Sequence, residues 1–144
     1  LKKLKITGVE HNFQNLLAIY TVNFILKNNS FNFLNSLKKL SNLEHRIEFI
    51  GKYKNIRFYN DSKDKNAISA KNAIQSFENI FWILGGIPKL HDRLNLKHLK
   101  KNIIKSYIIG KSVNFFKKQL KKENNYSVSK RLNNSIIEAL RDIK

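Results

Sequence analysis

The sequence predicts an α/β fold built on a mostly parallel sheet. Three observations carry this expectation. Short apolar runs alternate with stretches of helical length along most of the chain. One run, Ile80–Leu84 (IFWIL), is apolar on both faces, as a central parallel strand covered by helices must be. Two runs end on glycine, Ile80–Leu84 at Gly85-Gly86 and Tyr107–Ile109 at Gly110, and the second leads straight into helical sequence.

Taken in order, Asn12–Lys27 places Phe13, Leu16, Leu17, Tyr20 and Phe24 at helical spacing and reads as a long, well-buried helix. Asn28-Asn29-Ser30 breaks it, and Ser30 can cap a second helix over Phe31–Leu40. Arg46–Tyr53 alternates apolar Ile47 and Phe49 with charged Arg46 and Glu48, so it is strand-like; Tyr53-Lys54-Asn55 turns it into a second strand, Ile56–Tyr59. A helix over Ala67–Phe77 packs through Ala67, Ala70, Ala73 and Ile74. After Ile80–Leu84 come the strand Tyr107–Ile109, a helix over Ser112–Lys121 and an exposed polar loop over Lys121–Tyr126. A last helix over Val128–Ile143 carries the stripe Leu132, Ile136, Ile137 and Leu140. The layout ends on a helix where a doubly wound sheet normally receives another strand, and it begins with a helix whose apolar face needs a partner upstream. A domain cut at both ends is expected.

Composition narrows the function classes. With 144 residues, 42% hydrophobic and 11% aromatic, the chain can bury a real core. The absence of cysteine excludes a disulfide scaffold, cysteine-ligated zinc and thiol catalysis. No apolar run approaches bilayer length, and the charged start leads to Glu10, His11 and Asn12 rather than to the apolar core of a signal peptide. A soluble cytoplasmic protein with no membrane partner is expected. The 28 Lys+Arg against 10 Asp+Glu give a net charge of +18, which suggests nucleic acid. Yet the basic residues come in scattered pairs, such as Lys38-Lys39 and Lys117-Lys118, and arginine is scarce beside lysine. Lys, Asn, Ile and Phe all have A/T-rich codons, so base composition accounts for the excess. A basic nucleic-acid-binding α/β module is the alternative, recognisable by affinity that falls steeply with salt.

The motifs point elsewhere. Gly110-Lys111-Ser112 sits between a strand and a helix, but a P-loop needs a glycine where Lys105 stands, so this is a glycine turn. Asn60-Asp61-Ser62-Lys63 follows the strand Ile56–Tyr59, at a carboxyl strand end where open α/β sheets bind ligands. There Asp61 can accept from sugar hydroxyls and Lys63 can meet a phosphate; an Asx turn capping the next helix is the alternative. Gly85-Gly86-Ile87-Pro88-Lys89 follows the next strand at the same sheet edge and offers a cation for a carboxylate. His45-Arg46 opens a strand and can bring an arginine to a phosphate, or leave it on the surface. Asn12 and Asn15, three apart, share a helix face and can present amides to a base edge, or cap the helix. His91 and His98 make no metal-ligand spacing.

In sequence order, G-V-E-H-N-F-Q-N at Gly8–Asn15, L-E-H-R at Leu43–Arg46, N-D-S-K at Asn60–Lys63 followed by Asn66, and L-G-G-I-P-K at Leu84–Lys89 resemble the Mur ligases, in particular their D-glutamate-adding branch. The resemblance runs from Gly8 to about Leu140, by pattern of elements alone beyond Gly110. It implies a helical tail of a central ATP-binding domain over residues 1–43 and a Rossmann-like C-terminal domain over 44–144. It also implies an ADP-forming acid–amino-acid ligase using ATP and Mg2+, with UDP-N-acetylmuramoyl-L-alanine and D-glutamate as substrates, an acyl-phosphate intermediate and a monomeric state. By position, Asn12 and Asn15 look like adenine-side contacts, Arg46 and Asp61 like ribose and phosphate contacts, Lys63 like a catalytic cation, and Lys89 like the holder of a D-glutamate carboxylate. Lys65 stands where the family pattern has a threonine of the D-glutamate site, and lysine meets a carboxylate in a different geometry. The P-loop, the metal ligands and the uridine-nucleotide domain are expected upstream, so these 144 residues alone are expected neither to hydrolyse ATP nor to join D-glutamate.

Overall fold

The computed structural model describes residues 13–27, 29–39, 44–63, 66–89, 93–120 and 125–143. The chain divides into two compact units, Leu1–Lys63 and Asp64–Lys144.

In the first unit, helices α1 (Phe13–Ile25) and α2 (Ser30–Lys39) precede a hairpin of β1 (Glu48–Tyr53) and β2 (Ile56–Asn60). Tyr20 of α1 meets Phe33 of α2 with ring centroids 5.8 Å apart. Contrary to the expected burial, α1 leaves Leu17, Val22, Phe24 and Ile25 exposed, Phe24 at 72%. Apolar residues surround this helix, and α2 covers only the side that carries Tyr20. Ser30 is the first residue of α2 rather than a cap before it, and the carbonyl of Asn29 accepts from the Phe33 N–H at 3.1 Å. The hairpin is antiparallel, pairing Tyr53 with Ile56 and Gly51 with Phe58. A bulge between Phe49 and Gly51 then shifts the register so that Glu48 faces Asn60.

The second unit is the parallel α/β part, so the expected fold class holds. It contains α3 (Ala67–Gln75), β3 (Ile80–Gly85), a 3-10 turn over Lys100–Asn102, β4 (Ile103–Ile109), α4 (Val113–Leu120), β5 (Tyr126–Lys130) and α5 (Leu132–Asp142). The sheet order is β3-β4-β5, with both pairs parallel. Asn66 caps α3, its Oδ1 accepting from the Ser69 N–H at 2.8 Å. Three expectations are corrected. The central strand among the described residues is β4, with β3 at the edge. That central strand begins at Ile103 rather than Tyr107. Residues 126–130, expected as loop end and helix start, form β5, and only Leu132–Asp142 is helical.

Alternation along β4 puts Ile108 and Tyr107 on opposite faces of the sheet, and both are fully buried. Ile108 joins Ile74, Leu84, Leu96, Leu99, Phe116 and Leu120 in the apolar core on the α4 side. The Tyr107 face is polar at its margins and is closed by α5. Asp142 Oδ2 accepts from Lys105 Nζ and from the Tyr107 hydroxyl, both at 2.7 Å. Glu138 Oε2 accepts from Ser127 Oγ at 2.9 Å and from Ser129 Oγ at 2.8 Å. The buried residues of α5 are Ser135 and Ala139, while Leu132, Ile137 and Leu140 of the expected stripe are exposed. Small residues let the helix close on the strands, and its acids satisfy hydroxyls that an apolar stripe would leave unpaired.

Two outcomes follow from these contacts. A Cβ on Gly85 would lie 2.6 Å from both Ile109 Cγ1 and the Ile109 carbonyl oxygen, so Gly85→Ala is expected to destabilise the chain by about 1–3 kcal/mol, read as a lower denaturation midpoint. The Lys105 ammonium and then the Tyr107 hydroxyl hold the Asp142 carboxyl below its ordinary value of 3.8. A depressed carboxyl contributes stability that is present above the unfolded value and is lost as pH falls through the folded one. Urea unfolding between neutral pH and pH about 3 is therefore expected to show a steeper acid loss in the wild-type chain than in Asp142→Asn.

Candidate functional site

The two segments that the sequence singled out, residues 44–47 and 60–63, meet in the first unit. The β1–β2 pairing brings them together because both lie at the open end of the hairpin. Three hydrogen bonds close the join. The Ile47 N–H donates to Asp61 Oδ1 at 3.0 Å, the Lys63 N–H to the His45 carbonyl at 3.1 Å, and Asn60 Nδ2 to His45 Nδ1 at 2.8 Å. The turn itself is an Asx turn, with Asn60 Oδ1 accepting from the Ser62 N–H at 3.1 Å. The Asx-turn alternative is thus realised in part. Asn60 makes the turn, the helix cap falls to Asn66, and Asp61 is drawn into tertiary bonding.

Arg46 is exposed between two residues in the left-handed region, His45 at φ 63° and Ile47 at φ 46°. A β-branched residue there is an outlier that surrounding bonds must hold in place. Glu48 Oε2 supports the first of the two, accepting from the His45 N–H at 2.9 Å. The result is an exposed arginine whose backbone is held on both sides, in the segment that bonds to Asp61, with the exposed Lys63 two residues beyond Asp61. A guanidinium in such a place suits phosphate oxygens, and a carboxylate with two oxygens accepts more than one hydrogen bond.

The remaining sequence candidates lie elsewhere. Asn15 is exposed in the first turn of α1; Asn12 and Lys65 lie outside the described residues. Lys89 is exposed in the second unit, four residues beyond the end of β3. Here Gly86 has φ +116° with open space where a Cβ would stand, whereas Gly85 is required by its contact with Ile109. The sequence reading placed residues 60–63 and 85–89 on one sheet edge. In the structure β2 pairs with β1 and β3 with β4, in separate sheets, because the hairpin is antiparallel and complete in itself. At Gly110 the φ is +80° and the N–H donates to the Lys130 carbonyl at 2.9 Å, as a plain glycine turn requires. Among the described residues no group of three or more His, Cys, Asp or Glu could hold a metal ion, and no helix is long and apolar enough to cross a membrane.

Sequence reasoning missed Glu48 as part of this site and the bond from Asn60 to His45, and treated His45 only as a neighbour of Arg46. The available signal was the two-residue turn Lys54-Asn55, which fixes the register near the turn. The bulge that completes the pairing left no sequence mark beyond Gly51.

No family model matches the chain. Among known proteins it is 40% identical over 111 residues to the UDP-N-acetylmuramoylalanine–D-glutamate ligase of Rickettsia felis, covering 77% of this chain and 25% of that ligase. It is 40% identical over 105 residues to the enzyme of the same name from Wolbachia pipientis wMel, covering 73% of this chain and 21% of that ligase. It is 33% identical over 132 residues to that of Agrobacterium fabrum, covering 92% and 28%. Matched at this level over most of its length, the chain belongs to the Mur ligases. The relatives it matches are the D-glutamate ligases of that family, and it spans about a quarter of their length.

Asp61→Ala is expected to speed hydrogen exchange at the Ile47 amide roughly 10- to 100-fold, the loss of a charge-assisted bond of about 1.5–3 kcal/mol. Asp61→Asn, which keeps an acceptor oxygen, is expected to retain most of the protection.

Proposed function

We propose that this chain supplies the nucleotide-closing and amino-acid-binding part of an ATP-dependent, ADP-forming ligase that joins D-glutamate to UDP-N-acetylmuramoyl-L-alanine. In this reading residues 1–43 are the tail of the central ATP-binding domain and 44–144 the C-terminal domain of a monomeric cytoplasmic enzyme. The observation that carries it is the join itself, where the Ile47 N–H on Asp61 and the Lys63 N–H on the His45 carbonyl bring the segment that carries Arg46 to the turn that carries Asp61 and Lys63. The names of the relatives support the substrates.

The chemistry asks for these groups. The carboxylate of the UDP-linked substrate attacks the γ-phosphorus of ATP and ADP leaves, giving an acyl phosphate. The D-glutamate amine then attacks the acyl carbon, loses a proton and expels phosphate. Charge builds on the phosphoryl oxygens in the first step, and fixed cations lower its cost. Arg46 binds phosphate oxygens, Asp61 accepts from the ribose hydroxyls, and Lys63 neutralises the transferring group. Asn12 and Asn15 face the adenine. Lys89 and Lys65 hold D-glutamate carboxylates. Mg2+ supplies further charge neutralisation when bound to the nucleotide. The described residues offer it no ligand cluster, and none of the steps assigned to them passes through it.

Titration of ADP into the 144-residue chain, followed by amide chemical shifts, tests the nucleotide side. The expected result is a saturable perturbation centred on Arg46, Asp61 and Lys63, weakened roughly tenfold or more by Arg46→Ala, as loss of a charged hydrogen bond implies. Shifts scattered over surface lysines and equal in the variant would overturn the assignment.

A further inference from the structure

We propose that His45 is a positioning residue for Arg46, acting through its neutral ring with Nδ1 as the acceptor, and that a proton on this nitrogen exchanges the Asn60 tie for one to Glu48. The bonds around the ring lead to this. Asn60 Oδ1 already accepts from the Ser62 N–H, which fixes the amide so that Nδ2 faces the ring. Nδ2 can only donate, so the 2.8 Å contact requires a lone pair on His45 Nδ1 and therefore a proton on Nε2. The Nε2 side is consistent with this, since Glu44 Oε1 lies 3.7 Å from it.

The same Nδ1 lies 3.1 Å from Glu48 Oε2. A neutral Nδ1 gives that carboxylate nothing, because two acceptors face each other. Adding a proton reverses both contacts, so that Nδ1–H donates to Glu48 and Asn60 Nδ2 meets a donor. Asn60 and Glu48 thus compete for one atom, and the proton decides between them. The charged groups about the ring are Glu44 and Glu48 on its own segment. From the turn come Asp61, committed to the Ile47 N–H, and Lys63, whose N–H holds the His45 carbonyl. Arg46 sits between the two left-handed residues that these bonds maintain. Losing the Asn60 bond removes one of the three ties between segment 44–47 and the turn, and loosens the arginine's backbone while the Asp61 and Lys63 ties remain. The importance of that loss for catalysis rests on the nucleotide reading above, whereas the proton competition does not.

The test is nitrogen-15 NMR of the histidine rings in the intact 144-residue chain, with no nucleotide present. While its ring is neutral, His45 is expected as the Nε2–H tautomer. On acidification the amides of Arg46, Ile47 and Lys63 are expected to shift together with its protonation. In Asn60→Asp the turn acceptor is kept while a carboxylate oxygen replaces the amide donor, so the tautomer is expected to reverse to Nδ1–H. If that variant fails to fold, Glu48→Gln gives the second reading, retaining the Asn60-bonded form to lower pH than the wild type. An Nδ1–H tautomer in the wild-type chain, or amides of Arg46 and Ile47 that ignore the protonation of His45, would refute the proposal. Failure of the nucleotide reading alone would show in the ADP titration and leave these spectra unchanged.

Discussion

The candidate site depends on one hydrogen bond, from the Ile47 amide to Asp61 Oδ1 at 3.0 Å. It ties the entry of the hairpin to its exit and fixes a β-branched residue in a left-handed conformation that the residue would otherwise leave. With Ile47 held and His45 held by Glu48, Arg46 has little freedom in where its backbone points. Asp61 therefore acts on the site twice, as a candidate ligand and as the brace for the arginine beside it. A substitution at Asp61 would disturb two proposed contacts with one change, and their effects would not be additive.

The second unit is organised by the opposite device. Its parallel strands are joined through apolar packing on the α4 side, and on the α5 side by two acids that each serve two strand residues. Asp142 serves Lys105 and Tyr107, while Glu138 serves Ser127 and Ser129. Burial raises the Tyr107 hydroxyl pKa and the Asp142 bond raises it further, so the phenol stays protonated as the donor in this arrangement. The polar face explains how so basic a chain places some of its few carboxylates, where they complete hydrogen bonds inside the fold.

These features also explain what was legible in the sequence. Strand β3 was readable because IFWIL is apolar throughout, and β1–β2 because of its alternation and short turn. The start of β4 was hidden by the polar residues Lys105 and Ser106, the first of which is accommodated by Asp142, 37 residues away. Strand β5 was hidden because its alternation of Tyr126 and Val128 with Ser127 and Ser129 spans only five residues, and the two hydroxyls are satisfied by Glu138 from the next helix. The exposure of α1 was misjudged because helical spacing of apolar residues says which face wants cover, and nothing about what supplies it. At the site, Arg46, Asp61 and Lys63 were readable as motif residues. The roles of Glu48 and Asn60 were not, since they arise from strand register.

That register carries a consequence of its own. Counting back from the Tyr53–Ile56 pair, an unbroken ladder would set Glu48 opposite Asp61, and the extra residue before Gly51 moves it to Asn60. The hairpin thus works like a gear with one tooth added. Were Ile50 paired instead of bulged out, two carboxylates would oppose each other across the strands, repelling at the point where an anionic nucleotide is proposed to approach. With the bulge, an amide stands between the acids and leaves Asp61 for the Ile47 amide. An insertion or deletion within either strand, other than loss of the bulged Ile50 itself, would re-index this pairing and alter the site's charge pattern, even though it would change none of the residues assigned to bind.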